Sequence, residues 1–201
     1  MSSEGTFRLA FWILLVPAML MRTWFAIRTH RAGERLMPDR SSIRREGWRT
    51  YGIRLFLFLL LVAMIALLAR NPNWRAKLDF PLPFWLRWAG FVMGLASLGL
   101  WTWTHVALGT LWSAELRLRA NHRLVASGPY LRIRHPMYSA ILLWVTSLGL
   151  VIANGWLIIF AFLVAVYLAA RVPREEQMML ERFGEKYREY MKRTGRFLPK
   201  W

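Results

Sequence analysis

The chain contains no cysteine in its 201 residues. Disulfides, thiolate metal sites and cysteine nucleophiles are therefore excluded, although this leaves the redox compartment open. Negative charge is scarce: 11 Asp and Glu stand against 28 Lys and Arg, a formal net charge of +17. Histidine is scarce too. The four present show neither close ligand spacing nor an H-E-x-x-H pair, so no metal centre is expected. There is no G-x-G-x-x-G after a strand, no G-x-S-x-G and no Walker loop, which removes the soluble nucleotide folds. Internal repeats and low-complexity linkers are absent as well.

What the sequence has in excess is apolar residues, 56% of the chain. They gather in nearly unbroken runs at residues 7–27, 53–69, 84–108, 136–153 and 156–170. A soluble domain spreads such residues at helical or strand period; these runs are those of a bilayer protein. Few basic residues fall inside them, which speaks for a membrane lipid bilayer as partner and for no nucleic acid. The expected fold is all-α, a polytopic membrane helical bundle of about five transmembrane helices in one domain, 1–201. A C-terminal cytosolic amphipathic helix should follow from Arg171, with Pro173 in its first turn. Pro17 and Arg22 are tolerable in the first run, and Trp85, Trp88, Trp101 and Trp103 suit interfacial belts. No signal peptide is expected, since Glu4 and a lone Arg8 precede the first run and no small-x-small site follows it.

Five spans put the chain ends on opposite sides. The segments 28–54, 109–135 and 171–201 then share one side and hold 22 of the 28 Lys and Arg. The positive-inside rule assigns that side to the cytosol, with the N-terminus outside, in a cell inner (plasma) membrane.

Only Asn154-Gly155 separates the last two runs, a tight-turn signal that predicts an antiparallel helical hairpin. The hairpin makes neighbours of Arg134-His135 and Glu175-Glu176 at one membrane mouth. Such a cluster suits a polar, charged cofactor, while the bundle interior suits an apolar substrate. Simpler readings exist for each part. Arg132 and Arg134 can anchor a helix end in anionic lipid. Glu175 and Glu176 can sit at the positive end of a helix dipole. Arg171 and Glu175 can pair four residues apart. Tyr187 and Tyr190 can cover the membrane side of an amphipathic helix. His105, among Trp101 and Trp103, reads as a packed residue.

The order of elements carries more than any one of them. Leu108-Gly109, Trp112-Ser113, His122, Leu124-Val125, Gly128-Pro129-Tyr130 and Arg134-His135-Pro136-Met137-Tyr138 are followed, after the hairpin, by Glu175-Glu176. Leu180, Phe183-Gly184, Tyr187, Tyr190 and Arg196-Phe197-Leu198-Pro199 complete the string. This string resembles the isoprenylcysteine carboxyl methyltransferase family of integral membrane enzymes, to which phospholipid N-methyltransferases are related. It covers residues 105–201. Residues 1–104 carry no recognised motif and are expected to form the acceptor-pocket side.

The resemblance implies S-adenosylmethionine as methyl donor, bound at the cytosolic face, and a hydrophobic or lipid-like acceptor. Carried over residue by residue, the cofactor-binding positions are Gly128, Tyr130, Arg134, His135, Pro136, Tyr138, Glu175 and Glu176. Arg134 and His135 would hold the donor carboxylate, a glutamate would accept from its ribose or ammonium group, and tyrosine rings would face its sulfonium. Gly128 would allow close backbone approach to the cofactor. No catalytic residue is singled out, because methyl transfer is an in-line displacement governed by positioning and exclusion of water. A carboxylate acceptor would need no base; an amine would need deprotonation. One departure is Ala140, where the family often has glycine. Two other readings compete: an NADPH-dependent membrane reductase of sterol-reductase type, which shares Arg-His-Pro-x-Tyr, and a non-catalytic lipid-binding membrane protein.

Overall fold

The structure, a computed structural model, describes residues 3–31, 43, 47–70, 79–109 and 124–200. Among these residues it is all-helical: α1 Ser3–Arg31, α2 Trp48–Arg70, α3 Phe84–Leu108, α4 Pro136–Val151, α5 Gly155–Phe183 and α6 Glu185–Arg193. A 3-10 turn, Gly128–Leu131, precedes α4. Four helices, α1, α2, α3 and α5, are long and apolar enough to cross a membrane, and α4 is a shorter apolar helix of 16 residues. Trp112, Ser113 and His122, which contribute to the family string, lie outside the described residues.

Apolar spacing explains the packing. In α1 the buried set is Phe7, Ala10, Phe11, Leu14, Leu15 and Ala18, a stripe at three- and four-residue intervals. Leu9, Trp12, Ile13, Val16 and Leu20 on the other faces are exposed and equally apolar, as lipid contact requires. On α3 the inward line is Arg87, Gly90, Gly94, Ser97, Trp101 and Thr104. Its small residues bring backbones close. A Cβ at Gly90 would lie 2.7 Å from Leu150 Cβ, and one at Gly94 would lie 2.5 Å from Leu14 Cδ1. This seam makes α3 and α4 the most extensively packed pair. Trp101 is only 3% exposed and packs on Trp144, so it belongs to the core and not to an interfacial belt; Trp85 and Trp103 are exposed.

The α4–α5 hairpin forms where Asn154-Gly155 predicts it, with a different division of labour. Ala153 takes the left-handed conformation (φ 52°), and Gly155 simply begins α5. Asn154 is the cap: its side chain accepts from Leu157 N at 3.3 Å, while its own N–H donates to Gly149 O at 3.0 Å. Gly149 lets Ile158 come close, since a Cβ there would lie 2.6 Å from Ile158 Cδ1.

The expected break near Arg171 does not occur. Helix α5 runs unbroken through Pro173, which removes one donor from the ladder but leaves Arg171, Val172 and Glu176 buried on the bundle side. The break falls at Gly184, whose φ of 55° places it in the left-handed region and whose N–H donates to Leu180 O at 2.8 Å. Glu175 and Glu176 therefore lie deep within a helix, and a helix-start role for them is excluded.

Candidate functional site

One end of the bundle gathers the C-terminal end of α3, the 3-10 turn, the start of α4 and the last turns of α5. Gly128 opens this region with φ 58°, and its missing Cβ would stand 3.0 Å from Trp103 Nε1. The close approach that glycine permits is thus to α3. Pro129 and Tyr130 are buried beneath it. Ala140 is fully buried in the core beside the start of α4.

The C-terminal tail then docks through an isolated parallel bridge between Ile133 and Gly195. Arg134 N donates to Gly195 O at 2.8 Å, His135 N to Arg196 O at 2.9 Å and Gly195 N to Arg132 O at 3.0 Å. Ser139 Oγ adds a bond of 2.6 Å to Phe197 O. Tyr190, buried on α6, donates its hydroxyl to Tyr130 O at 2.7 Å. Tyr187 and Tyr190 are therefore packed inside and do not form a membrane-facing cover. Burial pushes the Tyr190 phenol up to about 12, and it pushes the Tyr130 and Tyr187 phenols up as well, so all three stay protonated.

This framework brings both halves of the predicted cluster together. Arg134 Nε donates to Glu176 Oε1 at 2.9 Å, and its Nη1 reaches Met191 O at 3.0 Å and Thr194 O and Oγ1. Arg134 is nearly buried, with 9% of its side chain exposed, so it is no lipid anchor. Tyr138 donates to Glu175 Oε1 at 2.5 Å, and Arg171 Nε donates to the same oxygen at 2.8 Å. Arg171 also reaches the Tyr167 hydroxyl at 3.0 Å. His135 stacks on Tyr138 with ring planes 7° apart and stands between the two carboxylates. Its Nδ1 lies 3.5 Å from Glu175 Oε2 and its Nε2 lies 3.5 Å from Glu176 Oε1. The Nε2 atom is buried and makes no hydrogen bond. Pro136 is the first residue of α4, where its missing N–H costs nothing.

Sequence reasoning missed Arg196. Its Nε and Nη2 donate to Glu176 Oε2 at 3.0 and 2.7 Å, so Glu176 is held by two guanidinium groups. The signal was present in the Arg196-Phe197-Leu198-Pro199 ending, but only the docked tail shows where it points. Arg87 was missed as well. At the other end of the bundle this buried residue donates to Val151 O at 2.9 Å and Glu4 Oε1 at 2.7 Å, with its guanidinium 3.7 Å over the Phe7 ring. It borders a cavity of about 300 Å³ that Asp79, Phe80 and Ala153 also line. His105 is packed as expected, stacked on Phe25 with centroids 4.4 Å apart.

A helical bundle with several membrane-length spans and a charged cluster at one end defines a polytopic integral membrane protein. Residues 89–181 match the model of the isoprenylcysteine carboxyl methyltransferase (ICMT) family. The match begins inside α3, ahead of residue 105, and includes the Arg134–Tyr138 motif and both glutamates. Protein-S-isoprenylcysteine O-methyltransferase B of Arabidopsis thaliana is 35% identical over 86 residues, 42% of this chain and 44% of that protein. The cobalt-zinc-cadmium resistance protein CzcN of Cupriavidus metallidurans is 32% identical over 135 residues, 63% of this chain and 62% of that protein. The chain spans about half the length of the curated relatives it matches. The solved structure of the eukaryotic intramembrane Ras methyltransferase ICMT is similar with a TM-score of 0.55 over 95% of this chain and 71% of that chain. At 18% identity, this likeness establishes the fold.

Proposed function

We propose that the chain is an integral membrane methyltransferase that uses S-adenosylmethionine and methylates a hydrophobic or lipid-like acceptor at the cytosolic membrane face. The observation that carries this reading is His135, whose ring stands between two carboxylates and whose buried Nε2 makes no hydrogen bond, inside the segment that matches the family model. Buried polar atoms are nearly always paired, so this one fits a ligand atom. The donor's mix of charged, hydroxyl and cationic groups suits a site of carboxylates, imidazole and phenol.

When bound, S-adenosylmethionine supplies an electrophilic methyl group on a sulfonium sulfur. The chain's residues do the rest. His135 offers Nε2 for a hydrogen bond, and its ring is kept in place by stacking on Tyr138. Glu175, fixed by Arg171 and Tyr138, and Glu176, fixed by Arg134, present carboxylate oxygens whose positions are set before a ligand arrives. The docked tail and α6 pack against the segment that leads into α4, which reduces the access of water to the site. The exposed apolar faces of α1 and α2 suit lipid surroundings from which a hydrophobic acceptor would come. The orientation is read from the sequence by the positive-inside rule, the segments 28–54, 109–135 and 171–201 holding 22 of the 28 Lys and Arg.

The test is transfer itself. Purified protein in lipid nanodiscs is incubated with methyl-labelled S-adenosylmethionine and fractionated membrane lipids and hydrophobic carboxylates and amines. Label in an organic-phase product, absent with His135→Ala, supports the reading. Label remaining in water with every fraction contradicts it.

A further inference from the structure

The sequence assigns the donor's carboxylate to Arg134, but the geometry points to a different arginine. Arg134 is committed to the fold: its Nε and Nη1 serve Glu176, Met191 O and Thr194, and 9% of its side chain is exposed. Arg171 is likewise engaged, by Glu175 and Tyr167. Arg196 differs from both. Its side chain is 52% exposed, and its shortest contacts end on Glu176 Oε2, whereas Arg134 holds Oε1. Only the Glu176 end of this pair is buried, so the half-exposed Arg196 guanidinium can turn to a ligand from solvent while Arg134 stays on the carboxylate. Glu176 would still be neutralised by Arg134 after the exchange.

We infer that Arg196 selects the amino-acid end of the methyl donor. Its side chain gives up Glu176 Oε2 to the donor's α-ammonium group and takes the α-carboxylate in return. The inference rests on the methyltransferase reading. Two ion pairs replace one ion pair and a free zwitterion, so the site's net charge is conserved. The backbone does not have to move, because Arg196 O is bonded to His135 N at 2.9 Å and Gly195 N to Arg132 O at 3.0 Å. An arginine that forms a fork with a carboxylate is the expected reader of this group. The tail thus contributes to specificity as well as to packing.

Calorimetry on the full chain in detergent tests the inference with two ligands. S-adenosylhomocysteine carries the amino-acid end, and 5′-methylthioadenosine lacks it. Arg196→Ala is expected to weaken S-adenosylhomocysteine binding by about tenfold or more, the scale of a lost charge-assisted hydrogen bond. Methylthioadenosine binding should stay as in the wild type, and Arg196→Lys should recover part of the loss. Unchanged S-adenosylhomocysteine affinity in Arg196→Ala overturns the inference. Equal weakening of both ligands also overturns it, because the damage would then lie outside the amino-acid end. Wild-type protein that binds neither ligand brings down the methyltransferase reading itself.

Discussion

His135 Nε2 and Glu176 Oε1 face each other at 3.5 Å without a hydrogen bond, while Arg134 delivers its Nε to that same oxygen at 2.9 Å. Glu176 therefore carries structural weight in addition to facing the site, whereas His135 is more loosely held beside it. The two residues should respond differently to mutation. Glu176→Gln removes the counter-charge of a buried arginine, and breaking such a pair costs about 3–5 kcal/mol. His135→Ala removes a ring held by stacking on Tyr138 and by long 3.5 Å contacts to the two carboxylates, at a cost of about 1 kcal/mol. Thermal unfolding in detergent should show a large fall for the first and a small one for the second. Equal falls would contradict this difference in structural weight.

Tyr190 gives the fold a pH dependence in the alkaline range. Burial raises its phenol from 10.0 in the ordinary case to about 12, so the folded state holds the proton more tightly than the unfolded chain. The stabilisation is complete below pH 10 and is lost as the pH rises through about 12. Tyr190→Phe should lower stability by about 1 kcal/mol at neutral pH by deleting the bond to Tyr130 O. It should also make the alkaline decline between those values shallower. A decline as steep as that of the wild type would assign the alkaline loss to other groups.

Two glycines are expected to resist substitution for different reasons. Gly128→Ala places a side chain in the left-handed region and sets its Cβ 3.0 Å from Trp103 Nε1, which costs about 1–2 kcal/mol. Gly90→Ala drives a Cβ to within 2.7 Å of Leu150 Cβ in the α3–α4 seam, an overpacking cost of about 1–3 kcal/mol. Gly52→Ala, inside α2 with open space around it, is the control and should be stabilising by at most about 1 kcal/mol. Denaturation midpoints of the three variants check the ordering.

Much of this architecture is legible in the sequence because lipid imposes a simple code. Long apolar runs mark the spans, and Asn154 marks the hairpin that folds Glu175 and Glu176 back onto Arg134 and His135. The extent of α5 was hidden by Pro173, which ends a soluble helix more readily than one held by a bundle. The fates of Trp101, Tyr187 and Tyr190 were hidden as well, because an amphipathic aromatic suits an interface and a core equally until its neighbours are known. Arg196 was unreadable for another reason: its role depends on backbone pairing between residues 132–135 and 194–197, and that register has no local signal.

The central claim is that this site receives S-adenosylmethionine, and calorimetry of the wild-type chain in detergent tests it most directly. S-adenosylhomocysteine should bind at one site per chain, NADPH should give no heat, and His135→Ala should weaken the binding about tenfold or more. Binding of NADPH in place of S-adenosylhomocysteine, or no binding of either, would contradict the account.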